Sequence, residues 1–137
     1  MKIVPVVISI IKKNNKYLIT KRVVFDEEDK RFYPLVWNIS GGGIEFGEAP
    51  EEALIRETRE ELGVELKNII QIPKVFSEVR DHWQGLFIVF VSELLDSNAK
   101  IILNSEAGEF GWFTLNEAKK LKLMPKTIEM LEEADKI

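Results

Sequence analysis

Apolar residues along the chain recur with two different periods. Residues 4–11 are β-branched and almost continuously apolar, the pattern of a strand buried on both faces. The polar run 12–16 predicts a turn and 17–22 a returning strand, so the chain opens with a hairpin. Residues 23–36, rich in acidic and basic side chains, read as an exposed loop ending in Phe32 and Tyr33. Those two aromatics either anchor the loop or offer a stacking surface. Residues 37–39 predict a short strand, 65–78 an extended segment broken near Pro73, 80–85 a turn, and 86–95 a second long apolar strand. A turn at 96–98, a short strand at 100–103, a lead-in at 106–113 and two terminal helices complete the pattern. Thr114 and Glu117 make a capping box for the first of these helices; the second follows Pro125 and covers about 126–135.

The helical period is clearest at 50–62. Pro50 suits the first helical position, Glu51 and Glu52 favour the positive end of the helix dipole, and Gly63 supplies a left-handed terminus. At roughly 100° per residue, Leu54, Ile55, Thr58 and Leu62 form a stripe that must be buried. Glu52, Arg56 and Arg59 share a second sector that reads as solvated. Glu57, Glu60 and Glu61 fall on a third face, with small Ala53 one turn before them. Like charges at i, i+3 and i+4 repel, and a solvated acidic helix normally interleaves lysines. This face does not, so a bound cation is the sharper reading and an acidic surface the plainer one.

The charge distribution sharpens the contrast. Residues 45–65 carry a net charge of −6 while the whole chain carries −4, so the acidity is local. At 137 residues with 45% hydrophobic and 31% charged content, the chain is expected to form one soluble domain over 1–137. It has no cysteine, which excludes disulfides, thiolate metal sites and a cysteine nucleophile. No run approaches the ~20 apolar residues of a membrane span. The start reads as a strand rather than a signal peptide, so a cytoplasmic location is expected. A pI near 5.2 without a basic block argues against binding duplex nucleic acid.

Gly42, Glu48 and the run Arg56-Glu57-Thr58-Arg59-Glu60-Glu61-Leu62-Gly63 complete a spaced pattern that resembles the signature box of the Nudix hydrolases, in the MutT-like group. Seven fixed identities are met, a chance match of about one in 10⁸ per start position. The chain departs from the pattern at Thr58, where an aliphatic residue is preferred, at Ser40, where many members have proline, and at Ala49, which gives up a capping side chain. The resemblance implies an α/β fold, a Nudix-type α/β/α sandwich with a mixed β-sheet. It also implies hydrolysis within the diphosphate of a nucleoside diphosphate linked to another group. The small single domain favours nucleoside triphosphates, with nucleotide sugars or dinucleoside polyphosphates as the alternative substrates. A non-catalytic nucleotide-sensing module is the alternative of a different class, but such modules usually lose box glutamates, and all four are present. A homodimer rests on family analogy alone.

An oxygen-only ligand set suits a hard cation such as Mg²⁺, with Mn²⁺ as a substitute. By resemblance, Glu57, Glu60 and Glu61 are its ligands, joined by the Gly41 carbonyl. Gly42 and Gly43 let the backbone approach metal and phosphate, and Glu48 would be an outer-shell ligand or help to orient water. Arg56, one turn before Glu60, would hold a glutamate in position or make an ordinary i, i+4 ion pair. The general base is Glu57, Glu60 or Glu61, or else a glutamate of a later loop, for which Glu109 is preferred to Glu106. His82, beside Trp83, reads as structural or substrate-facing.

Overall fold

The computed structural model describes residues 1–23, 36–80, 82–105 and 107–137. Phe32, Tyr33 and Glu106 lie outside the described residues, and the readings made for them go no further.

The first strand, β1 (Lys2–Lys13), is the spine. It turns through Asn14 and Asn15, both at positive φ, into β2 (Lys16–Arg22). Two central residues at positive φ are what a two-residue hairpin loop demands, and asparagine tolerates the left-handed region better than most side chains. The strands β3 (Trp37–Asn38), β4 (Gly41–Gly43), β5 (Leu66–Arg80), β6 (Trp83–Leu94) and β7 (Ala107–Phe113) complete one sheet in the order β3-β2-β1-β6-β5. β4 pairs with β1, and β7 with β2. The sheet is mixed: β1 and β6 run parallel from Lys2↔Trp83 to Ile11↔Ser92, and the other pairings are antiparallel. A parallel pair needs a crossover, and the crossover here carries the helix α1 (Pro50–Leu62).

Alternation along β1 sends its residues to two cores. Val7 packs with Ala53 and Leu54 of α1 and with Phe90. Ile8 and Ile10 face the other way, toward Met130, Leu131 and Ala134 of the last helix, α3 (Thr127–Asp135). Tyr17 is fully buried and its hydroxyl donates to Asp135 Oδ1 at 2.6 Å, tying β2 to α3. Helices therefore cover both faces, which is the α/β/α arrangement expected from the sequence.

Four expectations are corrected. The extended segment predicted to break near Pro73 is one continuous strand. Register shifts between Lys67/Ile70 and Gln71/Val75 absorb the proline, which an edge strand tolerates because one side needs no donor. The turn predicted at 80–85 is narrower, because Trp83–Gly85 pair with both β1 and β5. Residues 107–113, read as a lead-in, form β7, which supplies a partner for the second edge of β2 from Tyr17↔Phe113 to Arg22↔Ala107. Gly108 and Gly111 had hidden the alternation.

The strand expected at 100–103 does not form. There the backbone serves α1 instead: Ile102 N–H donates to Leu62 O at 2.9 Å, and Asn104 N–H to Glu61 O at 3.2 Å. These carbonyls of the last turn have no partner inside the helix. The capping box does form: Thr114 Oγ1 accepts from Glu117 N–H at 3.1 Å, opening the one-turn helix α2 (Leu115–Ala118).

Candidate active site

The helix α1 has the bounds read from the sequence, and Gly63 closes it at φ 67°, its N–H bonded to Arg59 O at 3.0 Å. Its buried stripe is Ala53, Leu54, Thr58 and Leu62. Ile55 is only half-buried, and Ala53, placed by the wheel beside the glutamates, packs under the helix against Val7. Ala49 offers no side-chain cap; Glu52 instead reaches back to accept from Ala49 N–H at 2.8 Å.

The helix lies against β4, and the glycines there are required by contact. A Cβ on Gly41 would run into the Val7 carbonyl and approach Ile8 Cδ1 to 2.9 Å. A Cβ on Gly42 would overlap the carboxylate of Glu57. Gly43 has open space around it. The glycine strand and the first carboxylate of the acidic face are thus in direct apposition.

Arg56 is where the wheel misleads. Its backbone position falls in the sector read as solvated, but its long side chain bends back among the carboxylates. Nε donates to Glu48 Oε2 at 2.6 Å and Nη2 to Glu48 Oε1 at 2.9 Å, a bidentate pair. Nη1 donates to Glu57 Oε1 at 2.8 Å, Nη2 to Gly43 O at 3.0 Å, and Nη1 reaches Glu60 Oε2 only at 3.4 Å. The acidic face therefore does contain an arginine, whose strongest partner is Glu48, not Glu60. Arg59 stays outside, paired with Glu65 at 2.6 Å.

Arg56 first, and then the Glu45 backbone, holds the Glu48 carboxyl down at about 2. Hydrogen bonds to Glu48 and then Glu57 push the Arg56 guanidinium further above its ordinary range. An unfolded Glu48 takes up its proton near 4.5, the folded one near 2, so its contribution to stability is complete above pH 4.5 and is lost as pH falls toward 2. Urea unfolding at stepped pH is expected to show a steeper loss of stability across that window for the wild type than for Glu48→Gln. Equal slopes would show that the pair does not govern acid unfolding.

Glu61 projects elsewhere on the same face. Its Oε2 accepts from Ser40 Oγ at 2.7 Å, and its Oε1 is also buried. Among the described residues, no three His, Cys, Asp or Glu side chains are gathered closely enough to hold one ion in common. Glu109 is not brought to this group. Its carboxylate lies 3.6 Å from Lys21, across from it in the ladder, and is more than half exposed. The bulge between Lys21 and Arg22 turns Ala107, rather than Glu109, toward the interior. His82 is exposed in the β5–β6 turn.

Beside Glu61 and Gly41 opens a cavity of about 430 Å³. Asn38, Arg80, Trp83 and Phe87 help to line it. The Arg80 guanidinium lies 5.4 Å from the Trp83 ring centre and is held by Glu78 at 3.0 Å. Sequence reasoning missed this wall. Its one available signal, an arginine and a tryptophan flanking a turn, carries no chemistry until a hairpin folds them over a cavity.

The Nudix domain family profile matches residues 1–134. The nucleoside triphosphatase NudI of Enterobacter sp. (strain 638) is 34% identical over 137 residues, covering 88% of this chain and 94% of that one. The crystal structure of a MutT Nudix hydrolase from Burkholderia pseudomallei superposes with a TM-score of 0.82 at 20% identity, covering 97% of this chain and 98% of that one. The Nudix domain of Shewanella oneidensis NrtR, solved with ADP ribose, gives a TM-score of 0.76 at 17% identity, covering 97% and 86%. These last two likenesses concern the fold alone. On the box, the layered sheet and the family match together, the chain belongs to the Nudix family and is a Nudix pyrophosphohydrolase.

Proposed function

We propose that the chain hydrolyses nucleoside triphosphates with a divalent cation, Mg²⁺ or in its place Mn²⁺, releasing a nucleoside monophosphate and pyrophosphate. The observation that carries this reading is the placing of Glu57 against Gly42, and of Glu61 beside Gly41 at the wall of a cavity. The similarity to a nucleoside triphosphatase supports the substrate class.

The donor atoms suit the ion in chemistry and in space. They offer carboxylates and backbone carbonyls and no sulfur or imidazole, which fits Mg²⁺. The position a Cβ would take on Gly42 is filled by the Glu57 carboxylate, so that carboxylate and the Gly41–Gly42 backbone can serve one ligand together. Glu57, Glu61 and the Gly41 carbonyl would hold the ion, leaving Glu60, the more exposed carboxylate, free to accept a proton. Bound there, it supplies charge neutralisation for the phosphate oxygens and a more acidic water.

The chain's own residues do the rest. Arg56 fixes Glu57 through a 2.8 Å hydrogen bond and is itself anchored by Glu48. Trp83 and Arg80 give the cavity a flat wall on which a base can stack. Of the two helix glutamates that Arg56 touches, Glu60 has a side chain 58% exposed and a contact of 3.4 Å, against 16% and 2.8 Å for Glu57. Glu109 is engaged by Lys21. We therefore assign proton acceptance to Glu60.

Competition among substrates tests the reading. Equimolar nucleoside triphosphates, nucleotide sugars, dinucleoside polyphosphates and ADP ribose are incubated with the protein and Mg²⁺, and products are resolved by chromatography. Nucleoside triphosphates are expected to be consumed at least tenfold faster than the others. Preferred loss of a nucleotide sugar or dinucleotide would move the substrate class, and tight binding with no turnover would make the chain a nucleotide sensor.

A further inference from the structure

Two of the places where this chain departs from the Nudix box, Ser40 and Thr58, are joined in one buried network. Thr58 and Ser9 are 0% and 3% exposed, and Thr58 Oγ1 donates to Ser9 Oγ at 3.1 Å. Ser9 N–H donates to the Ser40 carbonyl at 2.8 Å. Ser40 is itself 5% exposed, and its hydroxyl donates to Glu61 Oε2 at 2.7 Å. The path runs from the helix, across β1, to the residue just before the glycine strand, and back to the helix one turn later. Thr58 and Glu61 are i and i+3 on α1, so they face the same neighbour. Buried hydroxyls cost free energy unless they are bonded, and each of these three is used.

A proline at position 40 would have no donor to offer Glu61, and an aliphatic residue at 58 would offer none to Ser9. From this we infer that Ser40 is a positioning residue for Glu61, holding one carboxylate oxygen so that the group meets a divalent cation in a fixed orientation, and that Thr58 and Ser9 fix Ser40. The inference rests on the proposed reading of Glu61 as a metal ligand. Hydrogen-bond partners behind a metal ligand commonly change metal affinity by about 10- to 100-fold when removed, while leaving the donor set itself unchanged.

The test is Mn²⁺ binding to the full chain stripped of metal, followed by electron paramagnetic resonance, with no substrate present. Circular dichroism checks that each variant is folded. Ser40→Ala is expected to raise the Mn²⁺ dissociation constant about tenfold. Thr58→Val, similar in shape but without the hydroxyl, is expected to raise it by a smaller factor of about two to five. In a Glu61→Gln background, Ser40→Ala is expected to add nothing, because its partner has changed; a purely structural role would give the same loss in both backgrounds. Affinity within twofold of wild type for Ser40→Ala, or equal effects in the two backgrounds, overturns the inference and leaves the hydrolase reading standing. Failure of the wild type to bind Mn²⁺ at all overturns both.

Discussion

Glu60→Gln is expected to lower kcat by about 10²- to 10⁴-fold, the range typical of losing a positioned general base, while leaving thermal stability close to wild type. Two features of the side chain set this apart from an ordinary helix substitution. It is exposed over 58% of its surface, so little packing is lost. Its contact with Arg56 is a partly solvated i, i+4 pair at 3.4 Å, a class worth well under 1 kcal/mol. Among the described residues its charge is met by that weak pair, so a large kinetic effect with a small stability effect would locate its role in chemistry. Glu109→Gln provides the contrast. Its carboxylate faces Lys21 on the opposite strand, and kcat is expected to stay within a few-fold of wild type. Steady-state kinetics on both variants decide the matter: if Glu109→Gln collapses and Glu60→Gln does not, proton acceptance belongs to the later loop.

Gly42→Ala is expected to have a large effect on activity for a single added methyl group. The new Cβ would occupy the volume of the Glu57 carboxylate. Either β4 moves, disturbing its pairing at Val7↔Gly42, or Glu57 swings away and loses the 2.8 Å bond from Arg56. Overpacking of this kind costs about 1–3 kcal/mol, and a shift of about 1 Å in a reacting group can cost ~10²-fold in rate. The expected result is a loss of at least 10²-fold in kcat/KM together with a lower Tm. Gly43→Ala is the control. It adds the same methyl one residue later, where nothing lies within 4 Å, and is expected to fold and turn over normally. Equal effects at the two positions would mean that general strand disruption, and not the apposition of Gly42 and Glu57, governs activity.

The contrast between neighbouring glycines shows where sequence reasoning stops. The periodicities of 4–11 and 50–62, the capping signals and the box spacing depend on neighbours within a turn or two, and they produced β1, α1 and the layered arrangement. Arg56 shows the first kind of failure. A wheel fixes where Cα lies but not where a long side chain ends, and the guanidinium crosses to Glu48, eight residues back in the chain. Residues 100–103 show the second. Their apolar run suits a strand, but the last turn of α1 claims their backbone donors, a demand visible only once the helix end is placed beside them. β7 shows the third, since a strand interrupted by two glycines is recognised by the open edge of β2 and not by its own pattern. The site divides in the same way. The carboxylates were legible because one helix holds them, whereas Ser9, Ser40, Arg80 and Trp83 come together from separate strands and the segments beside them.

The most direct test of the central claim is the metal dependence of nucleoside triphosphate turnover by the wild-type chain, followed by ³¹P NMR. The account predicts no turnover in excess chelator and saturable recovery on titrating Mg²⁺, with nucleoside monophosphate and pyrophosphate appearing in equal amounts. Turnover that persists in chelator, or release of nucleoside diphosphate and inorganic phosphate, would contradict it.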